Sequence, residues 1–293
     1  MRSIATRLRL TFSLTDAAAD WAGAALPDLF PDGLLLRSSS DGVTRLQGWL
    51  PVGQGGREAE ARRRLALLGA TRISAHRVRP APPKALHGRF PVLRLGRFVI
   101  VPAAKAKQTV LKVGEKPILL VQGQAFGTGL HESTRLMLGK IEKIVASALE
   151  VLDVGAGSGI LGFACLHLGA ARVTCVELEA AACAELRQNR ALNQVGAAAL
   201  PVLHGRYPLQ RLRGRRFPLV LGNLVTPVLG QLMPALAAQV APGGALLCSG
   251  IHTPAEAARV RRAAAAQGLK LVDKAVLRDW NVLVLRKAVG RKP

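Results

Sequence analysis

The chain is poor in acid, in aromatic rings and in cysteine, and it has no long apolar run. Only 18 of its 293 residues are Asp or Glu, against 41 Lys and Arg, so the formal charge is +23 at pH 7. Such a surface favours polyanions, RNA above all, over a basic partner. One Tyr, seven Phe and three Trp leave few platforms for stacking single-stranded bases, which argues against a base-reading module. Cys165, Cys175, Cys183 and Cys248 have no C-x-x-C spacing and fall in segments patterned as helices and strands. They read as reduced core thiols of a cytoplasmic protein, and metal ligation is not expected. No stretch approaches the ~18 apolar residues of a membrane helix. The basic amino terminus lacks an apolar core long enough for a signal peptide.

What is present points to folded α/β structure. Hydrophobic residues make up 49% of the chain, too many for a disordered state, and the length suits two domains or one with an extension. Residues 1–80 read as strand 8–14, helix 16–29 with Trp21, a hairpin of 33–37 and 43–50, helix 58–68 and strand 71–78. That β-α-β-β-α-β order is ferredoxin-like. Nothing in it has catalytic spacing, so recognition is its expected job. Pro80-Ala81-Pro82-Pro83 opens a linker expected over residues 81–116, with a strand at 96–102 and an exposed basic segment at 105–116. A second domain spans 117–293. Basic residues cluster in it and just before it: eight against one acid over 84–116, and five arginines over 206–216.

The chain is organised around residues 151–177. An apolar strand, 149–154, runs into Gly155, Gly157 and Gly159. An apolar helical stripe (Ile160, Leu161, Phe163, Ala164, Leu168) follows, and a second strand, 172–177, ends in Glu177. This is a βαβ unit with its glycine turn at the carboxyl end of the first strand, where open α/β sheets bind ligands. A dinucleotide fingerprint reads G-x-G-x-x-G. Here the spacing is G-x-G-x-G, preceded by Asp153, and it resembles the first motif of class I S-adenosylmethionine (SAM) methyltransferases. The resemblance implies SAM as cofactor, with the glycines as the floor of its site and the Glu177 carboxylate on the ribose hydroxyls. A glycine turn of some other α/β protein fits the spacing as well.

A second stretch narrows the choice. Ala125-Phe126-Gly127-Thr128-Gly129-Leu130-His131-Glu132-Ser133-Thr134-Arg135 is a tight glycine turn opening a helix expected over 134–148. On the residues alone, Ser133 or Thr134 caps that helix and His131 is a loop residue. Downstream, strand 217–221 ends in Gly222-Asn223-Leu224-Val225-Thr226-Pro227, where Asn223 suits either a turn or an amide aimed at a ligand. It is not the Asn-Pro-Pro-aromatic motif of base-flipping adenine methyltransferases. Thr253-Pro254-Ala255-Glu256 forms a capping box, and strands 269–277 and 281–286 flank Asp279-Trp280 as a final antiparallel pair.

The segment A-F-G-T-G-x-H-x-[ST]-T-R, just ahead of D-x-G-x-G-x-G, resembles the PrmA family, methyltransferases of large-subunit ribosomal protein L-eleven. It is similar also to the lysine methyltransferases of electron-transfer flavoprotein. The resemblance covers roughly residues 90–290. It implies a seven-stranded class I methyltransferase sheet and methylation of lysine or α-amino groups on ribosomal protein L-eleven, with ribosomal RNA as a neighbour. It further implies that Phe126 packs on the cofactor and Thr134 contacts it. Asn223 would stand at the reacting nitrogen, with Thr128 and His131 lining the entrance. Four features depart from the family pattern: Glu177 where Asp is usual, Arg206 near the adenine, no tryptophan over 86–98, and Ala103-Ala104 after the proline. Lysine methylation of another protein and a SAM-binding, RNA-associated module with little turnover are the competing readings.

Overall fold

The structure, a computed structural model, describes residues 7–15, 34–40, 43–51, 56–78, 91–121, 127–205 and 212–289. It divides into two compact units, Met1–Gly88 and Arg89–Pro293.

In the first unit, β1 (Arg7–Thr15), β2 (Leu34–Ser40), β3 (Val43–Pro51), α1 (Arg57–Leu67) and β4 (Thr71–Val78) follow one another. The sheet order is β2-β3-β1-β4 with every pair antiparallel, the ferredoxin-like arrangement. Leu10, Phe12 and Leu14 share one face of β1 because strand side chains alternate, and they bury against Ala61 and Leu65 of α1. The helix expected over 16–29 lies outside the described residues.

The second unit begins with β5 (Leu93–Leu95), β6 (Phe98–Pro102) and β7 (Lys116–Leu120), a three-stranded sheet in which β6 and β7 are parallel. From residue 91 on, the expected linker is therefore structured. Phe98, Ile100, Ile118 and Leu120 are buried in one core with Met137, Leu138 and Ile141. Lys105 and Lys107 occupy a 3-10 turn, Ala103–Gln108, Lys112 lies in the loop after it and Lys116 opens β7, while the apolar strand on either side buries.

Then come α2 (Glu132–Ile144), β8 (Glu150–Val154), α3 (Ile160–His167), β9 (Arg172–Glu177), α4 (Ala180–Leu192), β10 (Val202–His204) and β11 (Phe217–Asn223). They are followed by α5 (Thr226–Gln239), β12 (Val240–Ile251), α6 (Pro254–Ala265), β13 (Leu269–Leu277) and β14 (Trp280–Lys287). The seven strands lie in the order β10-β9-β8-β11-β12-β14-β13, parallel except where β14 pairs with β12 and β13. Helices cover both faces. Val151, Leu219, Leu221 and Leu247 face the core shared with α2, α3 and α4, while Leu152, Val220 and Leu246 face that of α5 and α6. Strand order reverses between β8 and β11, so their carboxyl ends form the crevice where this architecture takes ligands.

Candidate active site

The crevice is built first from backbone. Gly155, Gly157 and Gly159 are all left-handed, at φ of 73°, 52° and 84°. That region penalises any Cβ, and a Cβ at position 155 would also run into the Leu224 side chain. Gly155 and Ala156 donate to Val176 O at 2.9 and 3.2 Å, fixing the turn against β9.

Glu177 ends β9 and reaches back across the turn. Its Oε2 accepts from the Gly157 N–H at 2.9 Å, and its Oε1 accepts from Leu178 and Glu179 N–H at 2.7 and 3.0 Å. A carboxylate offers about four acceptor positions. These three bonds therefore hold the group in place and leave it capacity toward a hydroxyl.

Three buried polar groups beside the turn find no hydrogen-bond partner among the described residues: both oxygens of Asp153, Asn223 Oδ1 and Thr134 Oγ1. Each such group costs about 1–3 kcal/mol if nothing meets it. Leu221 pairs with Asp153 and Gly222 with Val154, so Asn223 comes level with the glycine turn. Asp153 and Asn223 continue the alternation of Val151, Leu219 and Leu221 and so point to the α2 face, and Thr134 lies in the first turn of α2. Burial, and then the charge of Glu177, push the Asp153 carboxyl up to about 7. The Gly162 N–H in α3 opposes this shift but is too poorly placed to count as a full hydrogen bond. Acceptors without donors suit a ligand that carries positive charge and N–H groups. SAM, with an ammonium, a sulfonium and ribose hydroxyls, fits that donor set.

Residues 127–135 are latched onto the same turn. Ser158 Oγ donates to Gly127 O at 2.6 Å, and a Cβ on left-handed Gly127 would come to 3.0 Å from that hydroxyl. Thr128 sits half-buried between left-handed Gly127 and Gly129. Phe126 lies outside the described residues, as do Arg206 and Tyr207. His131 departs from the loop role: it is the N-cap of α2, its Nδ1 accepting the Ser133 N–H at 3.2 Å. Neither Ser133 nor Thr134 caps the helix. The helix starts at Glu132 because the imidazole nitrogen meets one of its orphan N–H groups. Burial lowers the His131 pKa, against an opposing pull from Glu132.

Sequence reasoning passed over several residues that position these parts. Asn189 of α4 donates to Ser158 O at 2.9 Å and accepts the Val121 N–H at 2.7 Å, and Asn193 exchanges two bonds with Leu119. The pair satisfies the free edge of β7 and ties it to the glycine turn. The available signal was a fully buried amide on the same helical stripe as Leu186. Glu256 closes the expected capping box and also accepts from Thr226 Oγ1 at 3.0 Å and the His252 N–H at 2.7 Å, joining the loops after β11 and β12.

Comparison with known proteins agrees with this geometry. A family model described as "Ribosomal protein L11 methyltransferase (PrmA)" matches residues 85–288. The ribosomal protein L11 methyltransferase of Chloroflexus aurantiacus is 36% identical over 225 residues, 68% of this chain and 66% of that protein. The match thus spans just under two thirds of that relative. Its counterpart in Pelotomaculum thermopropionicum is 31% identical over 282 residues, 91% of this chain and 86% of its own length. Among solved structures, the ribosomal protein L11 methylase of Lactobacillus delbrueckii subsp. bulgaricus superposes with a TM-score of 0.60 at 28% identity. That similarity covers 68% of this chain and 100% of the other.

Proposed function

The chain belongs to the ribosomal protein L11 methyltransferase (PrmA) family, and from that premise we propose that it transfers methyl groups from SAM to amines of that ribosomal protein. The targets are lysine side chains or the α-amino group. The observation that carries the reading is the buried, unpartnered Asn223 Oδ1 level with the glycine turn. An amide oxygen there accepts an N–H from a neutral amine and directs its lone pair into the crevice.

SAM supplies a methyl group already activated by its sulfonium, so the protein contributes position more than chemistry. Holding the amine in line contributes several kcal/mol by proximity alone. Glu177 receives the ribose hydroxyls, Asp153 and Thr134 receive the amino-acid end, and the glycine turn forms the floor. Thr128 lines the mouth of the crevice. His131 keeps its Nδ1 for the Ser133 N–H, so its part is to fix the start of α2 beside Thr134.

The charge of +23 supports ribosomal RNA beside the target protein, where a basic enzyme and a basic substrate both find anions. Among the described residues no helix is long and apolar enough to cross a membrane, and a ribosomal target places the work in the cytoplasm. The small antiparallel unit serves target recognition, as a domain distinct from the catalytic one.

The test is incubation with labelled SAM and recombinant ribosomal protein L11, read by intact mass. A gain of 14 Da steps (one methyl each) on that protein supports the reading. Transfer only to other proteins of a lysate overturns the substrate, and SAM binding without any transfer overturns the activity.

A further inference from the structure

A target amine arrives at neutral pH as an ammonium and must lose a proton before its lone pair can act. Granted the amine-methylating reading above, some group has to receive that proton. We propose that Trp280 and His252 form the receiving site for the target ammonium, Trp280 as a cation–π platform and His252 as the proton acceptor.

Three rings from distant segments meet at the carboxyl edge of the sheet. The His131 ring stands nearly edge-on to Trp280, with centroids 4.4 Å apart and 71° between planes, and the His252 ring lies 4.9 Å from Trp280 at 55°. Trp280 continues the alternation of Val282 and Val284, which bury on the α2 face, and Asn223 continues that of Leu219 and Leu221 on the same face. One strand separates them: Asn223 pairs with Ser249 of β12, and Ile251 of β12 pairs with Asn281. Two strand spacings amount to about 10 Å, and Trp280 stands farther out along the strand direction. An amine passing inward thus meets the indole before the amide. An indole face is the strongest aromatic partner for an ammonium.

Of the two imidazoles, only one is open to a proton at Nδ1. His131 has that nitrogen committed to the α2 cap. His252 is exposed, its backbone N–H is held by Glu256, and its ring makes no hydrogen bond among the described residues. In the step, one N–H bond of the ammonium breaks and a new N–H bond forms at the lone-pair nitrogen of His252. The electron pair stays on the target nitrogen, and the exposed imidazolium returns the proton to water. Glu256 on α6 holds the His252 backbone N–H; Glu132 on α2 acts on the neighbouring His131, Arg278 and Arg135 act on Glu132, and Arg278 and Asp279 immediately precede Trp280 in the chain. Glu132 is already paired with Arg278 at 2.6 Å, and the Glu256 carboxylate serves three donors, Thr226 Oγ1 and the His252 and Thr253 N–H groups. Neither carboxylate competes for the incoming proton.

The test is the pH profile of methyl transfer to recombinant ribosomal protein L11, with SAM affinity followed separately by calorimetry. His252→Gln lowers kcat/KM about 100-fold at pH 7, the lower end of the usual range for proton transfer. The deficit closes to about twofold near pH 10, where lysine sheds its proton unaided. SAM affinity stays unchanged. Trp280→Leu raises KM about fivefold at pH 7 with kcat nearly constant. A His252→Gln profile that matches the wild type, or a deficit of equal size at both pH values, overturns this inference alone. A wild-type protein that binds SAM and methylates no protein amine overturns the underlying reading with it.

Discussion

The glycine turn after β8 and the ring cluster around Trp280 sit at the same edge of one sheet and are made in opposite ways. The turn is a backbone device. Three left-handed glycines, two N–H groups on Val176 O and the Glu177 carboxylate across Gly157 come almost entirely from residues 153–179. The ring cluster is a side-chain device assembled from residues 131, 252 and 280. A ligand gripped by backbone is hard to lose by single substitutions except at the few side chains that lean on the turn. In a surface made of three separated side chains, the exposed His252 can change without disturbing the fold, whereas His131 also caps α2. On the proposed function, the turn governs cofactor affinity and the groups farther out govern transfer.

Glu177→Ala tests that division most severely. It removes the ribose acceptor and strips three backbone N–H groups of their partner. SAM affinity should fall about 1000-fold, the scale of one charge-assisted hydrogen bond together with the turn that the three freed N–H groups loosen. Calorimetric titration checks it, and a change under threefold would place the cofactor grip elsewhere.

Asp153→Asn comes next and is read on the cofactor-free protein. The Asp153 carboxyl lies at about 7 when folded, against 3.8 as the ordinary value. Between those limits the folded chain holds a proton that the unfolded chain has released. Stability therefore declines as pH rises through this window and stays reduced above it. The slope integrates to something on the order of 4 kcal/mol, and the substitution should flatten it in urea unfolding at pH 4 to 8. An unchanged slope would mean the carboxylate is met by charge in the free protein.

Asn223→Ala sharpens the contrast from the other side. Its Oδ1 finds no donor among the described residues, so the fold loses little. Single-turnover transfer should slow about 100-fold, the lower end of what one well-placed hydrogen bond at a reacting centre is worth. SAM affinity should stay within about twofold. The reverse pattern would assign the amide to the cofactor. The smallest effect is expected at Ser158→Ala, which cuts the 2.6 Å bond to Gly127 O. About 1 kcal/mol of stability and a severalfold weaker SAM affinity follow from a looser 127–135 segment, measurable by thermal unfolding with and without SAM.

These residues differ in how visible they were before folding. Gly155, Gly157, Gly159, Asp153 and Glu177 announce themselves because a left-handed turn, the strand before it and the acid after it are local in sequence. Asn223 was ambiguous as a turn residue. It acquires meaning only when β11 lies beside β8 and brings it level with Gly155. His131 was misjudged because the preference for hydroxyl caps is statistical, whereas the nitrogen that meets the Ser133 N–H depends on how residues 127–131 enter the helix. Residues 91–116 looked like a linker because they follow a proline run and end in a basic segment, yet the short apolar strand among them finds a core in α2.

By itself the sequence determined the periodicities and the points where backbone must adopt left-handed turns, since both depend on neighbours a few positions apart. It therefore determined the α/β layering, the ferredoxin-like order of the first unit and the glycine floor of the crevice. Only the tertiary structure decided which buried oxygens go unpartnered and which rings share a rim. Hydrogen-bond satisfaction and ring contact are set by strands and helices far apart in the chain, and no spacing along it records them.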